Sequence, residues 1–209
     1  MKRKFLVIKL LIVFLFGIIG ISQATPYTEI GDAGELMPTA QNIGGGFNTI
    51  TGSLGSGSDL FALQLTAGSF GAEVTFRTFD TQLFLFNSTG FGIVANDDIS
   101  DSNYASYFST TLSYSGLYYL GISAYDNDPI STTGEIFDDF WTGIVLPTVP
   151  GGGTNPLSGW SGSGSGRGYT IELSQTTTPS NPVPEPATLL LFGMGILGIA
   201  GVSRKKLQE

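Results

Sequence analysis

The chain reads as an all-β protein, an antiparallel β-sandwich of jelly-roll-like kind, and three features of the sequence predict it. The composition holds 30 Gly, 15 Phe and 8 Tyr with only 12% charged residues, which favours short aromatic-rich strands and tight turns over helices built from Ala, Leu, Glu and Lys. Apolar residues recur with period two, the mark of strands with one buried face. Before residue 183 no window shows a sustained helical period, so two packed sheets are expected between the ends of the chain.

The strands follow in order. In Asp59-Leu60-Phe61-Ala62-Leu63-Gln64-Leu65 the inward set is Phe61, Leu63 and Leu65. In Glu73-Val74-Thr75-Phe76-Arg77 it is Val74 and Phe76, with Glu73, Thr75 and Arg77 outside. Thr81 to Phe86 is apolar on both faces and belongs in the middle of a sheet. Ser106 to Leu112 and Gly116 to Tyr125 form a further pair across the Ser115-Gly116 turn, and Tyr169 to Leu173 is the last strand.

Between Pro129 and Arg167 the alternation breaks into Gly, Ser, Pro and isolated aromatics, ending in a Gly/Ser run from Ser158 to Gly166. Insertions of this length are functional or disordered. Gly/Ser runs do not offset their own ordering entropy, so residues 129–167 are expected to be a disordered insertion within a domain spanning 25–175. Thr176 to Pro182 reads as a linker.

Charge is distributed unevenly. Seven of the nine basic residues sit at the two ends, so that Thr25 to Ser203 carries 16 acidic and two basic residues, a net charge of −14. Such a body repels phosphate backbones and excludes nucleic acid as a partner. The chain has no Cys and no His, which rules out disulfide staples, Ser-His-Asp and Cys-His catalysis and the usual zinc ligands. A non-enzymatic role is the expectation.

Residues 1–24 have the form of a secretory signal peptide, with Lys2, Arg3 and Lys4 as the basic region, Leu10 to Ile21 as the apolar region and Ser22-Gln23-Ala24 as the cleavage site for signal peptidase. At the other end, residues 183–209 run from Val183-Pro184-Glu185-Pro186 through the apolar stretch Ala187 to Val202 to Arg204-Lys205-Lys206. The prolines keep the approach extended, the apolar stretch partitions into a bilayer as a transmembrane helix, and the basic cluster resists translocation. This tail resembles the PEP-CTERM sorting signal. The resemblance implies processing near Pro184, Glu185 and Pro186 by the membrane protease exosortase, with Arg204, Lys205 and Lys206 as the basic terminus. It further implies a Gram-negative bacterium that makes exopolysaccharide, and a destination at the outer surface or extracellular matrix.

The body is similar in segment order to the bacterial pre-peptidase C-terminal domain, a small β-sandwich. The residues that carry the likeness are Ser58 to Leu63, Phe79 to Phe86, Asn96-Asp97-Asp98, Ser115 to Ile122 and Gly168 to Leu173, with the insertion as the departure.

One polar constellation stands out. Asn96, Asp97 and Asp98 are followed by Asp101 and preceded by Asp80. If Asp80 and Asn96-Asp97-Asp98 flank a hairpin, their oxygens converge at one end of the sandwich, and hard oxygen donors at close spacing are what Ca²⁺ requires. The same residues also suit ordinary turns that need no metal. A glycosidase would need two acids facing one cleft; adjacent Asp97 and Asp98 would face opposite sides of a strand, and a hydrolase is the weaker alternative. Tyr125, Trp141 and Trp160, together with Tyr104 and Tyr107, lie in or near expected loops, where they either stack on a polysaccharide or cap the core. The functional expectation is therefore an exported structural or binding component, with an exopolysaccharide-binding module as the alternative.

Overall fold

The computed structural model describes residues 25–55, 57–138, 142–163 and 167–178. The expected signal peptide, the sorting tail with Pro184, Glu185, Pro186, Arg204, Lys205 and Lys206, and Trp141 lie outside the described residues.

The described chain is all-β, with one short 3₁₀ turn at Gly152–Thr154. Its first strands are β1 (Thr25–Thr28), β2 (Gln41–Asn42), β3 (Phe47–Leu54), β4 (Ser58–Leu65) and β5 (Gly68–Arg77). They are followed by β6 (Thr81–Asn87), β7 (Gly92–Asn96), β8 (Tyr107–Leu112) and β9 (Gly116–Ala124). The last are β10 (Pro129–Ser131), β11 (Gly134–Glu135), β12 (Ile144–Val145), β13 (Gly159–Trp160) and β14 (Arg167–Leu173).

Two larger sheets organise these strands, one in the order β1-β3-β14-β5-β8 and the other in the order β12-β7-β6-β9-β4-β2. The pairing is not purely antiparallel as the alternation predicts: β1 runs parallel to β3 and β2 runs parallel to β4, each at a sheet edge. Short edge strands of this kind leave little unpaired backbone for another chain to extend.

A single apolar cluster draws on both sheets. Ile50, Leu54, Phe70, Val74, Phe108, Tyr169 and Ile171 come from one, and Phe61, Leu63, Leu65, Leu83, Leu85, Val94, Tyr118, Leu120 and Ile122 from the other. The inward set on β4 is the one its alternation predicts. Strand β6 lies between β7 and β9, as its two apolar faces require. On β5 the expectation fails at one residue. Ile171 of β14 pairs with Val74 while Thr170 pairs with Phe76, so Thr75 is an extra residue in the ladder. The resulting bulge reverses the alternation and turns Phe76 outward, where it is 56% exposed.

The insertion departs most from expectation, because its described part is ordered. Strands β11, β10 and β13 form a small third sheet. Ile136, Phe137, Val145, Leu157 and Trp160 pack on Leu60, Phe84, Phe86 and Ala95, the outer face of the six-stranded sheet. Phe84 and Phe86 are the outward set of β6, and the insertion buries them; Phe84 lies 5.7 Å from Phe137 and 5.5 Å from Trp160, ring centroid to ring centroid. A few well-spaced apolar side chains thus supply the burial that the Gly/Ser composition conceals.

Candidate functional site: an acidic hollow at one end of the sheets

The β6–β7 hairpin builds the site. Its antiparallel register sets Leu83 opposite Asn96, which brings the residue preceding β6 beside the residues following β7. Asp80 precedes β6, and Asp97 and Asp98 follow β7. Each of the three offers a carboxylate oxygen within 4.8 Å of the other two. Three of the five residues singled out for calcium are therefore brought together. The remaining two have different surroundings.

Asn96 is a scaffold. Its Oδ1 accepts from the Tyr107 amide at 2.6 Å, and its Nδ2 donates to the carbonyls of Asp98 at 3.0 Å and Gly143 at 2.6 Å. A side chain so engaged fixes the Asp97-Asp98 corner, and its oxygen already serves the Tyr107 amide. Asp101 is exposed and stands outside the group of three, on the wall of an open hollow of about 530 Å³ that it lines with Asp80, Asp98, Tyr104 and Tyr125.

Electrostatics at the site are strained. Asp98 is buried, and its carboxyl is pushed up to about 6, first by burial and then by the charge of Asp80, with Asp101 adding to the effect and Arg77 opposing it. Burial also raises Asp80, against the pull of Arg77 and of the Thr81 amide. Arg77 donates through Nη1 to the Phe79 carbonyl at 2.9 Å and lies 6.0 Å from the Tyr104 ring centroid. One oxygen on Asp80 and one on Asp98 are buried without a hydrogen-bond partner. Buried polar atoms are rarely left so, and hard carboxylate oxygens this close together match the donor chemistry of Ca²⁺.

The aromatics divide. Tyr104 and Tyr125 rim the hollow at 48% and 47% exposure, and the Tyr125 amide donates to the Asp80 carbonyl at 3.1 Å, tying the rim to the acids. Tyr107 is exposed on β8, away from the hollow's lining. Trp160 is not an exposed platform. Its indole is half-buried edge-on against Phe84, and its Nε1 donates to the Glu35 carbonyl at 2.8 Å, so it belongs to the outer core. The Asp126-Asn127-Asp128 segment is a structural turn: Asp126 has φ 62°, Asn127 accepts from the Gly162 amide at 2.8 Å and Asp128 accepts from Gln82 at 2.9 Å.

Sequence reasoning missed a second acidic group, Glu29, Asp32 and Asp59, whose oxygens likewise lie within 4.8 Å of one another. The spacing of Glu29 and Asp32 around Gly31 marks part of it in the sequence, whereas nothing local points to Asp59.

Comparison with known proteins bears chiefly on the tail. No curated protein matches the chain. Among solved structures, the crystal structure of Aeromonas hydrophila PliG, a periplasmic lysozyme inhibitor of g-type lysozyme, is similar over 72% of this chain and 96% of its own, at 11% identity and a TM-score of 0.32. A likeness that slight carries no argument about this chain. Residues 182–205 match the PEP-CTERM protein-sorting motif, which supports an exosortase substrate that is exported and associated with the envelope.

Proposed function

We propose that the protein is a non-enzymatic structural or binding component of the outer surface or extracellular matrix of a Gram-negative bacterium, built as a cation-stabilised β-sandwich with its acidic hollow as the contact surface. The observation that carries the cation is the meeting of Asp80, Asp97 and Asp98, with buried, partnerless oxygens on Asp80 and Asp98. Ca²⁺ there would neutralise charge in a body whose net charge is −14. The sandwich reading is supported by the core shared between the two larger sheets.

Routing follows from the sorting motif: signal peptidase removes 1–24, Ala187 to Val202 holds the chain in the membrane, and exosortase acts near Pro184, Glu185 and Pro186, short of Arg204, Lys205 and Lys206. Mass spectrometry of the surface form tests this, because an intact C-terminus at Glu209 would defeat it.

The cation is tested by thermal melting of the full-length protein in detergent, in calcium and in chelator. A rise of several degrees in calcium that Asp80→Asn and Asp98→Asn each reduce is the expected result. Coincident melts in the two conditions would remove the site.

A second reading, exopolysaccharide contact at the same hollow, is favoured by the exposure of Tyr104 and Tyr125 beside the acids. Exposed tyrosines offer a flat apolar face and a hydroxyl to a sugar ring. A glycan array probed with and without calcium separates this contact from a purely structural role.

A further inference from the structure

The second acidic group is made by long-range packing. Glu29 follows β1, and its carboxylate accepts from the Ala33 amide at 2.9 Å and the Ser53 amide at 2.7 Å, which fix it over the end of β3. Asp59 lies on the inner face of β4, the same face as Phe61 and Leu63, and has 0% exposure. Its Oδ2 accepts from the Tyr169 hydroxyl of β14 at 2.6 Å. Its Oδ1 has no hydrogen-bond partner. Asp32 closes the group from the exposed side.

Glycines leave room for this arrangement. Tyr169 sits directly opposite Gly52, where a Cβ would run into the Tyr169 hydroxyl and Glu29 Oε2. A Cβ at Gly55 would meet Asp32 Oδ1 at 2.5 Å, and one at Gly57 would run into Glu35 Oε1. Every charge acting on Asp59 is negative: Glu29, Asp32 and Glu35. Neither arginine of the body, Arg77 or Arg167, is among them. A carboxyl group with no access to water, no donor at Oδ1 and three anionic neighbours is either neutralised by a proton or balanced by a cation.

We infer that Glu29, Asp32 and Asp59 form a second site for a hard divalent cation, of the Ca²⁺ class, that clamps the segment following β1 onto β4 and, through Tyr169, onto β14. The acids supply three anionic oxygens, and exposed Asp32 leaves a side open for water to complete the shell of six to eight ligands that calcium prefers. The clamp reaches the outer layer as well, because the same segment carries the Glu35 carbonyl that receives the Trp160 indole N–H. This site stands apart from Asp80, Asp97 and Asp98 and does not depend on them.

Calorimetric titration of the full-length protein in detergent with calcium chloride tests it. The parent protein is expected to take up two equivalents. Asp59→Asn, which keeps an acceptor for Tyr169, and Asp32→Asn, at an exposed position, should each weaken one equivalent by at least about tenfold and leave the other intact; Asp98→Asn should do the converse. Amide hydrogen exchange at Ala33 and Ser53 should slow on adding calcium to the parent and not to Asp32→Asn. If both Asp59→Asn and Asp32→Asn retain native near-ultraviolet dichroism and the parent's calcium stoichiometry and affinity, the inference is overturned. A single equivalent lost in Asp59→Asn but kept in Asp98→Asn would uphold this site and sink the hollow; the reverse pattern would uphold the hollow alone.

Discussion

The two acidic groups use the same chemistry in opposite settings. Asp80, Asp97 and Asp98 come from the two ends of one hairpin and face an open hollow rimmed by tyrosines. Glu29 and Asp32 from the segment after β1 meet Asp59 of β4 over the edge of the main core, where Tyr169 reaches across from the opposite sheet. A locally built group can vary its rim without disturbing the fold, whereas one assembled across sheets couples its charge to the packing of both. The first is the proposed contact surface and the second the proposed clamp.

Tyr169→Phe attacks the contrast where it is greatest. It strips the donor from Asp59 Oδ2 and leaves a buried carboxylate with neither oxygen satisfied, so denaturant unfolding in chelator should show a loss of about 1–3 kcal/mol. Removing the Tyr104 hydroxyl at the hollow should change stability by less than about 0.5 kcal/mol.

A smaller effect should appear with pH. The Asp59 carboxyl is raised to about 7, above all by burial, against the hydrogen bond from Tyr169 and with added repulsion from Glu29, Asp32 and Glu35. Between the ordinary carboxylate range and pH 7 the folded state therefore holds a proton that the unfolded state has released, and stability falls as pH rises through that window. Melting in chelator should be highest near pH 5 and several degrees lower at pH 8, and Asp59→Asn should flatten the slope.

Asp98→Asn should show a reversal of sign. Without calcium it relieves a buried charge repelled by Asp80, and the variant should match or exceed the parent by up to about 1 kcal/mol. With calcium it should fall below the parent. A variant destabilised equally in both conditions would mark Asp98 as structural and erase the distinction between the two groups. The smallest stability effect is expected for Tyr125→Ala, within about 0.5 kcal/mol of the parent, with loss of any glycan-array signal as its readout.

Much of the inner core was legible because strands with one buried face write their period into the sequence. Phe61, Leu63 and Leu65 on β4 and the doubly apolar β6 show this, and the hairpin containing β6 carried Asp80, Asp97 and Asp98 with it. Phe76 was not legible, since one extra residue at Thr75 reverses every later position and nothing in Val74-Thr75-Phe76 announces it. The insertion misled because composition averages over residues: Ile136, Phe137, Leu157 and Trp160 are few among many glycines and serines, yet all reach the same sheet face. Glu29 and Asp59 meet only through tertiary packing, and a hydrogen bond joining Tyr169 to Asp59 spans 110 positions, beyond any local pattern.

Strand β14, the last of the body, does not lie at an edge but fits between β3 and β5. Thr177 and Thr178, just beyond it, are latched by backbone bonds to Phe47 and Gln64. During export the slot for this strand must wait until nearly all of the body has emerged, and the facing edges of β3 and β5 stay open until then. Completion of the sheet therefore comes last in the body, just ahead of the sorting motif at residues 182–205.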